Sequence, residues 1–352
     1  MLENTSYLQI RKNSIVQYDQ SEFSKRKQES VLELLSENGK DTYRGEMSIV
    51  AQKNLRRKIQ IWHSGIEYFN SKVYNPTMRN TKHLVFLTLT LSASQRHSDQ
   101  QIKKDLLKPF LRIMRENFGC INYVWKAESQ ENNNIHFHII IDQYVDKIEI
   151  QNKWNYCQQK LFYIDRFELK FGYRNPPSTH IEIIDNWEDA EKYVQKYICK
   201  EDKYRRIEGA IWKASKSINS LKFFEIVEDG EINESINKAI DNQDCKLIEK
   251  DRYRMFFFEK DKLINYLPRY HKFQYFNYLQ FLLDYLFVDN CDQLFTDYCI
   301  CRRAVFDNQN KKKEYEEVFA KRSIPIVQGR LFNDSIDNEA FTKKRIRDRR
   351  NM

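Results

Sequence analysis

The sequence predicts an α+β fold, in which helices flank an antiparallel sheet and mostly helical segments extend it at both ends. Three observations carry that prediction. Leu84-Val85-Phe86-Leu87-Thr88-Leu89-Thr90-Leu91 is β-rich, with Thr88 and Thr90 on one face and Leu87, Leu89 and Leu91 on the other. Cys120 to Glu128 and Ile135 to Ile141 read as strands joined through Asn132-Asn133-Asn134, and so as a hairpin. Helix-spaced apolar positions fall between and after these strands, which gives the order strand, helix, strand, strand, helix, strand, helix. Helices packed on an antiparallel sheet make an α+β domain.

Each element has its own reason. Residues 1–78 read as a helical N-terminal extension: they are polar, Ser21 to Ser36 looks helical, and Leu55, Ile59, Trp62 and Ile66 hold helical spacing within Ser48 to Phe69. Asn75-Pro76 marks a turn that closes this segment. Residues 79–205 form the central domain. After its first strand, Ser98 caps a helix reaching about Asn117, with Ile102, Leu106, Phe110, Ile113 and Met114 on one side. Pro109 is expected to kink that helix and Gly119 to end it. The hairpin follows, then an amphipathic helix over Lys147 to Phe162 and a short strand over Thr179 to Ile184. Asp185 or Asn186 caps a last helix running to about Cys199. Residues 206–352 read as a mostly helical C-terminal region with a basic tail. In it, Phe223 to Val227 and Tyr253 to Phe258 are candidate strands, and Gln274 to Phe287 is a helix apolar on most faces, hence buried or docked.

Composition narrows the class. The 352 residues are 41% hydrophobic and 14% aromatic, enough for a sizeable core, which argues against wholesale disorder. A net charge of +9 favours a polyanionic partner. Its densest cluster, Lys343, Lys344, Arg345, Arg347, Arg349 and Arg350, can pair with phosphates, although a solvated tail would read the same. Seven Cys without a CxxC pair argue against a zinc module or a disulfide framework and fit a reducing compartment. Met1 to Val16 has no signal-peptide core, and no run of about 18 apolar residues appears. A soluble, cytoplasmic protein with no membrane partner is expected.

Two motifs carry chemistry. His136-Phe137-His138 lies in the strand Ile135 to Ile141, where residues i and i+2 face the same way, so both imidazoles leave one face and can chelate one metal ion. Two ordinary strand histidines would share this spacing. Their surroundings favour the ligand reading, because two polar rings in a strand of Ile and Phe cost free energy unless something satisfies them. Glu128, on the partner strand, comes near the histidines across the turn and can supply an oxygen ligand; Glu131 and Asp142 are rival carboxylates. Two His and one carboxylate leave positions open for substrate oxygens. His180, a third histidine in the region, reads as structural.

The second motif is Tyr193-Val194-Gln195-Lys196-Tyr197-Ile198-Cys199-Lys200. On a helix, Tyr193 and Tyr197 share a face, with Lys196 and Lys200 repeating beside them. A phenol ionises near pH 10, so a neighbouring ammonium or metal is needed to favour the phenolate. Lys can also stabilise charge developing on a phosphate. Half-buried packing tyrosines with a solvated lysine edge would give the same pattern.

The combination resembles the HUH endonuclease superfamily, and within it the two-tyrosine rolling-circle replication initiators related to phage gene A proteins and plasmid Rep proteins. The resemblance covers roughly His83 to Lys200. Phe86-Leu87-Thr88-Leu89-Thr90 is similar to the family's first motif, His136-Phe137-His138 to the metal motif, and Tyr193 and Tyr197 with Lys196 and Lys200 to the nucleophile motif. Gly209-Ala210-Ile211-Trp212-Lys213-Ala214-Ser215 echoes a further G-x-x-W-G-x-S stretch, with Lys213 where a Gly is expected. The resemblance implies an HUH, RRM-like core. It implies a metal, Mg²⁺ or Mn²⁺, held by His136, His138 and an acidic residue, with Glu128 the candidate. It also implies attack by a tyrosine on single-stranded DNA at a replication origin, leaving a 5′-phosphotyrosine and a free 3′-OH. No Walker loop is present, since Asn38-Gly39-Lys40-Asp41 lacks its flanking residues, so a host helicase and polymerase are the expected partners. The alternatives are an HUH two-tyrosine transposase or mobilisation relaxase and, from another class, a non-catalytic DNA-binding regulator.

Overall fold

The computed structural model describes residues 6–19, 47–74, 76–78, 80–184, 187–198, 204–250, 253–259 and 262–287. The helix expected over Ser21 to Ser36, Lys200 and the basic tail lie outside the described residues. The chain begins with strands β1 (Ser6–Ile10) and β2 (Ser14–Asp19) and helix α1 (Ile49–Asn70). Strand β3 (Leu84–Leu89) leads to helix α2, which runs from Asp99–Ile102 through a π-helical turn, Lys103–Leu107, into Lys108–Phe118. The hairpin β4 (Tyr123–Ser129) and β5 (Ile135–Ile141) follows, then α3 (Lys147–Gln159), α4 (Tyr163–Phe171) and β6 (Thr179–Ile184). Helix α5 (Trp187–Tyr193) continues into a second π turn, Val194–Ile198. Next come β7 (Trp212–Ala214), α6 (Lys216–Ser220), β8 (Phe224–Val227), α7 (Gly230–Asp241), β9 (Cys245–Lys250), β10 (Tyr253–Phe258), α8 (Leu263–Tyr266) and α9 (Arg269–Phe287).

The strands form two five-stranded antiparallel sheets, with orders β6-β3-β5-β4-β7 and β8-β1-β2-β10-β9. The α+β class with helices on antiparallel sheets is therefore what the chain adopts. Local chemistry explains the helix ends. Ser48 Oγ accepts from Ala51 N at the start of α1, and Ser98 Oγ accepts from Gln101 N at the start of α2. Gly119, at φ +69°, closes α2 in the left-handed conformation that costs glycine least. Pro109 neither ends nor breaks α2. Its ring would meet the carbonyl one turn earlier, and the π turn over Lys103–Leu107 sits where that conflict falls.

The sequence reading differs from the fold at three places. Lys147 to Phe162 is not one helix: Phe162 adopts φ +60°, which stops α3 and starts a separate α4. Residues 1–78 are not only helical, because Ser6–Ile10 and Ser14–Asp19 pair as a hairpin inside the second sheet. Those strands are short, carry Gln9 and Gln17, and turn through Arg11-Lys12-Asn13 without Gly or Pro, so both the alternation and the turn signal are weak. The described part of the C-terminal region mixes four strands with four helices, and its first strand, β7, extends the first sheet past residue 205.

Alternation in the first sheet separates two cores. Val85, Leu87, Leu89, Trp125, Ala127, Phe137 and Ile139 share one buried cluster with Ile102, Leu106, Phe110 and Met114 of α2 and Ile150 and Trp154 of α3. On the opposite face, Leu84, Phe86, Val124, Ile140 and Ile184 share a cluster with Leu55, Ile59 and Trp62 of α1, Ala190 and Val194 of α5, Leu282 and Leu286 of α9, and the inner residues of the second sheet. Towards the open end of the hairpin this second face changes character. Lys126, Glu128, His136 and His138 replace apolar residues there. No helix among the described residues is long and apolar enough to cross a membrane.

Candidate active site

Strand register assembles the polar cluster. Glu128 lies opposite His136, and Lys126 lies opposite His138, which in turn lies opposite Thr88 of β3. Directly opposed residues share a sheet face, so one row of side chains crosses three strands. Glu128 Oε2 contacts His136 Nε2 at 3.2 Å and His138 Nε2 at 2.9 Å. One ligand atom from each of Glu128, His136 and His138 can be chosen so that all three lie within 4.8 Å of one another. A cluster able to hold a metal ion is thus present, made of the three residues that the sequence singled out.

Its chemistry suits a cation. Burial depresses the His138 imidazole to about 4, against the pull of the Glu128 carboxylate, and the charges of His136 and Lys126 add to the depression. His138 is therefore neutral at physiological pH, the form in which imidazole ligates metals. Thr88 Oγ1 lies 3.2 Å from His138 Nδ1, so it can accept the proton that leaves Nε2 as a lone-pair donor. His136 Nδ1 is buried without a hydrogen-bond partner, a cost that a site without a cation does not offset. These residues fit a divalent ion.

The other carboxylates and the third histidine are placed elsewhere. Glu131 is exposed on the hairpin turn. Asp142 is buried at the far end of β5, where its Oδ2 accepts from Asn122 Nδ2 at 2.5 Å and Trp62 Nε1 at 3.3 Å. His180 pairs with Thr88 from the far side of β3, is mostly exposed, and is not in the cluster.

The tyrosines arrive from α5. Tyr193 and Tyr197 stack on each other at 5.5 Å between ring centroids, and each lies 4.9 Å from Phe86. Phe86 also stacks on His138 at 5.4 Å, and the Tyr197 ring is 4.8 Å from that of His138. The Phe86-Leu87-Thr88 stretch of β3 therefore touches both halves of the site: Phe86 underlies the tyrosines and Thr88 the histidine. Lys196 Nζ lies 4.9 Å from the Tyr197 ring centroid, and its hydrogen bond to the Tyr197 phenol holds the ammonium above the usual lysine range. The π turn Val194–Ile198 departs from the regular helix that the spacing predicts.

Lys126 is a site residue that the sequence reading does not include. It is only 1% exposed, next to His138 in the row, with Trp212 of β7 on its other side. A signal for it exists, because Lys126 sits two residues before Glu128 and must share its face. The weakly motif-like stretch around Trp212 forms the edge strand β7 beside it.

An α+β protein with a His-His-Glu cluster beside a tyrosine pair is the class that fold and site define. The comparison with protein families agrees in kind: residues 84–202, about a third of the chain, match a family described as Replication-associated protein, of the ORF2 type. That segment contains β3 to β6, the cluster and both tyrosines, and it links the chain to DNA replication. No curated protein and no solved structure matches the chain.

Proposed function

We propose that the protein initiates rolling-circle replication by nicking and rejoining single-stranded DNA at an origin, with a tyrosine as nucleophile. The observation that carries this reading is the Tyr197 ring 4.8 Å from His138, itself part of the Glu128, His136 and His138 cluster. The match of that segment to a replication-associated family supports it.

Glu128, His136 and His138 would hold the ion, Mg²⁺ or Mn²⁺. When bound, such an ion supplies Lewis-acid polarisation of a phosphate oxygen. The Tyr197 phenolic oxygen attacks the scissile phosphorus. A P–Oη bond forms and the P–O3′ bond breaks. The phenol loses its proton and the departing 3′ oxygen gains one, leaving a 5′-phosphotyrosine and a 3′-OH that a polymerase can extend. Lys196, hydrogen-bonded to the phenol, favours its ionised form and offsets charge on the phosphate. Tyr193, stacked beside Tyr197, serves as the second nucleophile in rejoining, and Lys200 supports it as the second lysine of the repeat.

The test is incubation of the full chain with single-stranded oligonucleotides tiling its replicon, with Mg²⁺ or Mn²⁺, followed by peptide mapping of any covalent adduct. The expected adduct is on Tyr193 or Tyr197. Sequence-specific binding without cleavage would favour the regulator, and an adduct on another residue would overturn the assignment.

A further inference from the structure

We propose that Asp99 and Arg205 form a brace that positions the ligand-bearing hairpin, so that metal affinity at Glu128, His136 and His138 depends on it; this rests on the metal reading above. Asp99, in the first turn of α2, is 2% exposed. Its Oδ1 accepts from Gln95 Nε2 at 2.8 Å and Arg205 Nη2 at 2.7 Å. Its Oδ2 accepts from Arg205 Nη1 at 2.6 Å and the Glu208 backbone N–H at 3.0 Å. Burial alone would raise the Asp99 carboxyl, but the hydrogen bonds from Arg205, Gln95 and Glu208 hold it below the ordinary range, so the pair is ionic.

Arg205 has no donor to spare. Beyond Asp99, its Nε donates to Asn133 O at 2.8 Å, its Nη1 to Arg206 O at 3.2 Å and its Nη2 to Gln95 Oε1 at 3.2 Å. A guanidinium has five N–H donors, and all of them are engaged within the protein. An arginine so saturated is a strut rather than a phosphate clamp.

The bonds end where the ligands sit. The Arg205 backbone N–H donates to Ser129 Oγ at 3.2 Å, next to Glu128. Gln95 Oε1 accepts from Ile135 N at 2.6 Å, next to His136, and Gln95 N donates to Asn134 Oδ1 at 2.8 Å. Both strands of the hairpin tip are thus tied to α2 and to the segment that returns from the tyrosine helix. A ligand set is effective only when such outer bonds fix its rotamers and backbone.

The experiment uses the full chain and Mn²⁺ alone as probe. Arg205→Lys keeps the charge but loses the fork. Gln95→Ala removes the bonds to Ile135 and Asp99 and leaves the ion pair, so it carries the test if Arg205→Lys does not fold. Calorimetric Mn²⁺ affinity should fall about tenfold or more in Arg205→Lys and severalfold in Gln95→Ala. Amide exchange over residues 129–135 should quicken while that of β3 stays unchanged. Wild-type Mn²⁺ affinity in a folded variant, whatever its exchange, would overturn the proposal. If the wild-type protein binds no Mn²⁺, the metal reading is what fails, and the brace stands or falls on the exchange rates alone.

Discussion

Both sheets have five antiparallel strands, yet one buries carboxylate, ammonium and imidazole groups in its strands, and the other buries aliphatic and aromatic ones. In the second sheet the inward positions are Leu8, Ile10, Ile15, Phe224, Ile226, Phe256 and Phe258, and among the described residues Ser14 is the buried polar residue of its strands. In the first, Lys126, Glu128, Ser129, His138 and Thr179 are buried on strands of similar length. Burying polar and charged groups costs free energy that an apolar residue of the same size avoids. A chain able to fill one sheet with hydrocarbon and yet accepting that cost in the other marks the first as the sheet under functional constraint. The second sheet gives stability and closes the core beneath the site.

The comparison breaks most sharply at the ligands. His138→Ala should abolish Mn²⁺ binding and lower nicking at least about 100-fold, while single-stranded DNA affinity is largely kept, since phosphate contacts dominate it. Calorimetry, a nicking assay and a filter-binding titration check the three parts. Unchanged Mn²⁺ affinity would leave the buried polar groups without the role assigned to them. The double variant Tyr193→Phe/Tyr197→Phe should lose all covalent adduct and keep Mn²⁺ affinity. Either single variant should retain one cleavage if the tyrosines alternate. Trapping with an origin oligonucleotide reads this directly.

Legibility in the sequence follows the same division. The catalytic half is readable because its signals are local: i, i+2 spacing places His136 and His138 on one strand face, and the Asn-rich turn brings Glu128 opposite His136. Tyr193 and Tyr197 also share a side, although through an α-to-π transition that spacing alone does not reveal. The second sheet is largely illegible because it joins distant segments. β1 and β2 come from the start of the chain, β8 to β10 from beyond residue 220, and β1 pairs with β8. Nothing local in Ser6–Ile10 specifies that partner. Asp99 and Arg205 escape a sequence reading for the same reason, since an ion pair between distant residues has no period.

A substitution in the second sheet should give the opposite phenotype to one in the first. Phe256, 6% exposed, lies between the inward residues of β2 and β9. Phe256→Ala should lower unfolding stability by about 3–5 kcal/mol, the range for deleting a buried aromatic ring. The fraction that remains folded should bind Mn²⁺ like wild type. Urea unfolding with calorimetry at low temperature separates the two effects, and a Mn²⁺ affinity that falls with stability would mean that the second sheet shapes the site as well as supporting it.

The smallest effect is expected where the first sheet buries a carboxylate that the site does not use. Asp142 is 1% exposed, and burial raises its carboxyl to about 6, against Lys82 and the hydrogen bonds from Asn122 and Trp62. Its Oδ1 has no partner among the described residues. A folded-state value above the unfolded one means that folding favours the protonated acid. Its contribution is therefore fully present below about pH 4 and is lost as pH rises through about 6. A shift of that size corresponds to roughly 2–3 kcal/mol between the two limits. Asp142→Asn keeps an oxygen for Asn122 and Trp62 but cannot ionise. The variant should gain on wild type as pH rises, being more stable by about 2 kcal/mol at pH 8 and no more stable at pH 4. Urea midpoints at unit pH steps from 4 to 8 measure the difference. A gap between the two proteins that does not change with pH would mean that Asp142 is ionised throughout, with its charge compensated in the fold by Lys82 and its hydrogen-bond donors.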